Sequence, residues 1–222
     1  MRALRLLGVV PVAVICAYRL VPLALNARSW QLLLPAVGRP GFSRLLGLRW
    51  IGESINSLLP VGQVGGDVAR ARLVAVSGVP RADAAASMIA DFATGVLTQV
   101  VFATAGLLAL GHAADHSVRG PTRATLLGML LAATTAVVLY SLLRFGTTRL
   151  ARRLFVGSGA RARWLKVAGS FGRLDHAMAA VLGRRRALSS AFGWHVAGWF
   201  SQVGETWIVL GLMGASVSLS TA

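Results

Sequence analysis

The chain has 222 residues, 55% hydrophobic and only 14% charged, with a mean hydropathy of +0.67. Soluble domains carry about 25% charged residues, so this composition excludes one and indicates an integral membrane protein. The net charge of +16 comes from 22 arginines and a single lysine against seven acids; because the arginines gather between apolar stretches, where positive residues set orientation, the basicity does not point to nucleic acid.

A bilayer core takes about 20 apolar residues, which sets the test for each stretch in turn. Residues 6–25 form a weak span, broken by Pro11, Arg19 and Pro22. Arg2 and Arg5 ahead of it resemble a signal peptide, but Arg19 and Pro22 stand where a small-residue cleavage site belongs, so a kinked membrane helix is the better reading. Cys16, the one thiol, excludes an internal disulfide and makes no metal site by itself.

Residues 50–76 break the apolar pattern. Between Arg49 and Arg72 lie Gly52, Glu53, Asn56, Pro60, Gly62, Gly65, Gly66, Asp67 and Arg70. Lipid tolerates no unsatisfied backbone, so irregular chain at membrane depth must be covered by protein or line a watery cavity. Pro60 disfavours helix at the residue before it, and Asn56 and Pro60 together close one helical stretch. Asp67 stands at an N-cap position for a short helix over 68–77, with Gly78 and Pro80 as its stop. The expectation is a re-entrant helical hairpin whose second helix opens with Gly-Gly amides and Arg70, a natural place for an anion. Asp67 would repel that anion, unless it pairs with Arg70 or Arg72 and gates the site. The plain alternative is an interfacial loop with an ordinary cap and orienting arginines.

Further spans are expected at 84–111, 124–143 and 187–213. Within the first, Ser87, Asp91, Thr94, Gly95 and Thr98 follow three- and four-residue spacing and form one polar stripe. Asp91 lies about 12 Å along from Asp83 at 1.5 Å per residue, either lining the same cavity as Asp67 or meeting an arginine. The loop between the first two of these spans carries His112, Asp115 and His116, but with no fourth ligand it reads as a solvated loop and no metal site. The last span carries His195, Gly198, Gln202 and Glu205 on another stripe, with Trp194, Trp199 and Trp207 nearby. Glu205 either takes part in a proton-coupled step or packs through hydrogen bonds against a neighbouring helix.

Orientation follows from the arginines. Between Arg144 and Arg186 there are eleven Lys or Arg residues and one acid, Asp175. The basic segment 144–186 is therefore expected on the cytoplasmic side, where it would attract anionic lipid. Tracing back places Arg28, Arg39, Arg44, Arg49, Arg70, Arg72 and Arg81 inside, and leaves Arg2 and Arg5 outside, on the wrong side for the rule. Either residues 6–25 do not cross or a helix precedes them, so the chain is expected to be part of a larger membrane domain. The fold class expected is all-α: a polytopic membrane protein with a re-entrant hairpin.

The run Trp50, Gly52-Glu53-Ser54, Asn56, Leu59-Pro60, Gly65-Gly66-Asp67 and Arg70 resembles the flippase-like family of lysylphosphatidylglycerol synthase transmembrane regions. Its nearest branch is the hopanoid-biosynthesis-associated (HpnL-type) membrane proteins. Leu97-Thr98-Gln99-Val100 and Gly204-Glu205-Thr206-Trp207 extend the likeness. The resemblance implies a multi-pass bacterial inner-membrane protein that handles lipids, with no aminoacyl-transferase domain. The family's later Pro- and Gly-rich segment, the partner of the first hairpin, finds no counterpart before Ala222, and its initial helix is also absent.

The function expected is lipid translocation, of a hopanoid or another isoprenoid or phospholipid. Glu53, Asn56, Pro60, Gly65, Gly66, Asp67, Arg70, Asp91 and Glu205 would bind or gate the head group, with no cofactor. Two other functions compete. A membrane-embedded transferase acting on a lipid-linked substrate would need a nucleophile or acidic cluster, against which the seven scattered acids argue. An accessory scaffold would hold lipid-biosynthesis partners through the basic segment.

Overall fold

The computed structural model describes residues 9–58, 65–113 and 161–212, with isolated positions at 128, 130 and 134. Side chains at 107–113 and 161–171 are not among those described. The expected span 124–143 and Pro60 lie outside this set, apart from those isolated positions.

Every regular element among the described residues is helical. They run α1 (Val9–Tyr18), α2 (Leu20–Leu33), α3 (Phe42–Leu58), α4 (Gly65–Val76), α5 (Arg81–Ala113), α6 (Arg161–Gly183) and α7 (Arg185–Leu212). Two stretches, Val9–Leu33 and Arg81–Gly106, are long and apolar enough to cross a bilayer. The first of them is α1 and α2 read together. Pro22 has no N–H to offer the Tyr18 carbonyl four residues back, and its ring crowds that group, so the helix slackens at Arg19 and then continues. Arg19 keeps helical angles, φ −56° and ψ −22°.

The end of α2 is fixed by Pro35, which holds Leu34 extended at ψ 148°. The last carbonyls of a helix need partners, and here arginines supply them. Arg39 Nη2 donates to Leu34 O at 2.7 Å, and Arg184 Nη1 donates to the same oxygen at 3.0 Å. Arg184 Nη2 also donates to Leu33 O. Cations at a helix C-terminus are favoured by the dipole as well. Burial, together with the nearby Arg184 and Arg28, holds the Arg39 guanidinium below its ordinary pKa.

α7 packs along α2 in the opposite direction. Tyr18 Oη donates to Ser201 O at 3.0 Å, Asn26 lies against Gly198, and Leu33 shares a cluster with Ala191. That cluster joins Leu33, Ala86, Ala90, Ala177, Met178, Val181 and Ala191 from α2, α5, α6 and α7. Its many alanines let the helices approach closely, as membrane interfaces favour. A second cluster, Trp30, Leu34, Leu45, Leu48, Val74, Val79, Ala84 and Met88, joins α2, α3, α4 and α5.

Residues 161–183, inside the segment read as a basic loop, form α6. Leu174, Ala177, Met178 and Val181 recur at helical spacing and pack against the core, which accounts for the helix. α7 begins at Arg185 and ends at Leu212, close to the apolar stretch expected over 187–213.

Replacing Arg184 with alanine uncaps α2 and should cost about 1–3 kcal/mol, the penalty for stranding hydrogen-bonded buried groups. Thermal unfolding in a non-ionic detergent measures this, and an unchanged midpoint would refute the capping role.

Candidate functional site

α3 and α4 form an antiparallel hairpin whose register is set by two glycines. Gly52 faces Arg70, and a Cβ there would lie 2.6 Å from Arg70 Cγ. At Gly66 a Cβ would run into the Gly52 carbonyl and come 2.7 Å from the Asn56 side chain. Side chains at either position would wedge the helices apart. Gly66 N donates instead to Asn56 Oδ1 at 2.7 Å, so Asn56 satisfies one of the free amides at the start of α4. Asp67 sits in the first turn of α4, two residues inside a helix that starts at Gly65.

The hairpin rests on a buried carboxylate. Asp91 of α5 is 2% exposed. Its Oδ2 lies 3.1 Å from Arg49 Nη1 and 3.7 Å from Arg70 Nη1. Its Oδ1 lies 3.0 Å from His195 Nε2 and accepts from Ser29 Oγ at 3.4 Å. Side chains of α2, α3, α4 and α7 thus converge on one residue of α5. Arg49 also reaches Glu53 Oε1 at 3.3 Å and Asn26 O at 3.2 Å. Arg70 Nη2 pairs with Asp67 Oδ1, and the Arg70 guanidinium lies 5.4 Å above the Trp30 ring. Trp30, fully buried, donates through Nε1 to Ser87 Oγ at 3.3 Å.

Beside this network is a cavity of about 430 Å³. Its lining has two characters. Arg49, Glu53, Asn56, Asp67, Arg70 and Asp91 make a charged pole, while Pro22, Leu23, Phe92, Val96 and Trp199 make an apolar wall. Asn26, Gln99 and Gln202 add uncharged polar groups to the lining, and His195 joins it beside Asp91. Phe102 stacks on Trp199 with centroids 5.7 Å apart, which steadies that wall.

The residues expected from sequence distribute as follows. Glu53, Asn56, Asp67, Arg70 and Asp91 all line the cavity. Gly65 begins α4, and Gly66 supports the lining through Asn56. Glu205 stands apart from the lining, in an ion pair at 3.2 Å with Arg19, which does line it. The polar stripe of α5 faces inward: Ser87, Asp91, Thr94 and Thr98 are all buried. Arg49, Arg19 and Asn26 were not among the expected site residues. Arg49 stood out in the sequence only as one more orienting arginine, although Glu53 follows it at helical i,i+4 spacing. Among the described residues no three His, Cys, Asp or Glu side chains come together as a metal site.

Removing one partner from a buried ion network leaves the others uncompensated, at a cost of about 3–5 kcal/mol. Asp91→Asn should therefore lower stability by that order, read as the loss of monodisperse protein on heating in detergent. A variant as stable as the parent would mean that Arg49 and Arg70 do not depend on this carboxylate.

The family profile described as lysylphosphatidylglycerol synthase TM region matches residues 1–222. No curated protein and no solved structure gives a significant match. The match spans the whole sequence and agrees with the apolar helices and the all-helical fold. The chain belongs to the lysylphosphatidylglycerol synthase TM region family, and is a membrane protein of lipid handling.

Proposed function

We propose that this chain moves a lipid between leaflets, with the cavity between α2, α3, α4, α5 and α7 as the path of the head group. The observation that carries this reading is the two-sided lining. A charged group of two arginines and three carboxylates shares the same 430 Å³ space with the apolar side chains of Pro22, Leu23, Phe92, Val96 and Trp199. An amphipathic molecule matches that contrast, with its head toward Arg49, Asn56, Asp67 and Arg70 and its chains toward Phe92, Val96 and Trp199. Polar groups held inside an apolar bundle default to function, since each is costly to place there.

In this reading the protein is a multi-pass protein of the bacterial inner membrane, with the segment 144–186 on the cytoplasmic side. The α3–α4 hairpin is the re-entrant element. The polar pole replaces water for the head group while the chains remain in lipid. Asp67 gates by holding Arg70, and Glu205 holds Arg19 at the margin of the cavity. A hopanoid or another isoprenoid or phospholipid is the cargo class, in keeping with the nearest branch suggested by the sequence.

Asp67→Asn should abolish lipid movement while leaving insertion intact. The assay reconstitutes the full chain in vesicles and follows the exposure of a labelled phospholipid to a membrane-impermeant quencher. Normal movement by the variant would sink the gating role.

The scaffold alternative makes the basic surface essential. Arg184 is unsuitable as its test, because it caps α2. Arg185 and Arg186 are exposed. Their double alanine variant should transport as well as the parent; loss of function there, with hairpin variants unaffected, would favour the scaffold.

A further inference from the structure

The arginines divide by what they meet. At the cavity each has a carboxylate: Arg19 holds Glu205, Arg49 holds Asp91 and Glu53, and Arg70 holds Asp67. Toward the C-terminal end of α2, three others have none. Arg28, Arg39 and Arg184 take part in none of the ion pairs found among the described residues. Their hydrogen bonds go to neutral oxygens. Arg39 donates to Pro35 O at 3.2 Å and to Leu34 O at 2.7 Å. Arg184 donates to Leu33 O and Leu34 O, and Arg28 to Gln31 Oε1. None of the three lines the cavity.

They also stand together. Arg39 and Arg184 share the Leu34 carbonyl. Burial lowers the Arg39 pKa, and the charges of Arg184 and Arg28 lower it further, with no acid acting the other way. The carbonyls satisfy donors but bring little charge. A helix C-terminus is worth about half a negative charge, against three guanidiniums here. The cluster is left positive.

Its frame is rigid. Gly38, at φ +71°, turns the chain just before Arg39, and a Cβ there would stand 2.9 Å from Gly78 O. The turn between α2 and α3 is thus pinned against the turn between α4 and α5. Gln31, buried, accepts from Arg28 and donates to Pro40 O at 3.4 Å. Arg28 and Arg39 are exposed, and the same turn bares Val37 at 82% exposure, with Phe42 just after it at 38%. Fixed cations next to bare apolar side chains match an anionic head that carries acyl chains. A free anion has no use for the apolar flank.

We infer that Arg28, Arg39 and Arg184 form a site for the phosphate of an anionic phospholipid, bound where α2 ends and α7 begins and away from the cavity. In the orientation proposed above, the ligand belongs to the cytoplasmic leaflet, where basic pockets between helices take such head groups. The site stands whether or not the cavity moves a lipid.

The test is thermal unfolding of the purified full chain in dodecyl maltoside. It is titrated with dioleoyl phosphatidylglycerol, dioleoyl phosphatidylcholine or inorganic phosphate at equal concentrations. Phosphatidylglycerol should raise the midpoint saturably. Phosphatidylcholine, whose ammonium offsets its phosphate, and inorganic phosphate should not. An equal rise with phosphatidylcholine would reduce the effect to lipid in general and overturn the assignment. An equal rise with inorganic phosphate would overturn it in favour of a free-anion site.

Arg28→Gln separates this site from the cavity, because Arg28 is exposed, bonds within its own helix and caps nothing. It should weaken the apparent affinity for phosphatidylglycerol about fivefold, the worth of one arginine near a lipid surface. Arg81, exposed at the start of α5 on the same end of the bundle, is not among the charges acting on Arg39. Arg81→Gln should leave the affinity unchanged. Unaltered affinity in Arg28→Gln overturns the site. An equal loss in Arg81→Gln overturns it too, in favour of diffuse attraction to every basic residue.

Discussion

A carboxylate buried among five helices is the constraint on which the other contacts depend. Removing an ion from water costs several kcal/mol even after a protein relaxes around it, and only close partners offset that cost. Asp91 obtains them from Ser29, Arg49, Arg70 and His195, one from each of four helices. Each partner must arrive within a few ångströms, so each helix has little freedom to slide or turn. The glycines show what this closeness requires. Gly52 leaves room for Arg70, Gly66 for the Gly52 carbonyl and Asn56, and Gly198 for Asn26, where an added Cβ would stand 3.3 Å from the amide oxygen.

The same network that locks the bundle also accounts for its cavity. Two guanidiniums offer more donors than Asp91 can accept, and the surplus is distributed unequally. Arg49 finds Glu53 and the Asn26 carbonyl besides Asp91. Arg70 finds Asp67 and an aromatic face, with two nitrogens left over. A fully satisfied interior would close on itself, as apolar cores do. Here the charged side chains share one cavity with Phe92, Val96 and Trp199, which have no hydrogen-bonding partner to offer them apart from the indole N–H.

Much of this was legible because it is local. The glycines and proline around Glu53 and Asp67 interrupt an apolar text, and the Ser87, Asp91, Thr94, Thr98 stripe follows helical spacing. Both therefore point to an inward polar face without any knowledge of partners. What stayed hidden is what depends on pairing across the chain. Arg19 and Glu205 are 186 residues apart, and Arg184 reaches α2 across 150. An arginine that orients a protein in the membrane and one that neutralises a buried acid are the same letter, so Arg49 and Arg184 read as two of many. The helix α6 was obscured for a related reason. Its positive charge suggested a loop, while Leu174, Ala177, Met178 and Val181 carried a weaker apolar periodicity through the same residues.

The ties between helices also differ in what would be needed to undo them. α2 and α7 are joined near one end by Tyr18 to Ser201 and Arg19 to Glu205, and at the other by Arg184 to the α2 carbonyls. Separating them would break contacts along their whole length and uncap α2. The α3–α4 hairpin is joined to the rest by apolar packing of Leu45, Leu48 and Val74 against Trp30 and Met88, and by side-chain ion pairs at Arg49 and Arg70. Arg49 holds Asp91 and Glu53 at once through different nitrogens, and Arg70 pairs with Asp67 while facing Asp91, so a side chain that lets one partner go keeps another. Exchanging one such pair for another costs far less than separating packed helices, because charge stays paired throughout. Rearrangement is therefore cheapest among the charged side chains around Glu53 and Asp67, beyond the packed base of the hairpin, with α2 and α7 as the fixed wall. The residues that break the apolar pattern most visibly in the sequence are the ones the fold leaves easiest to rearrange.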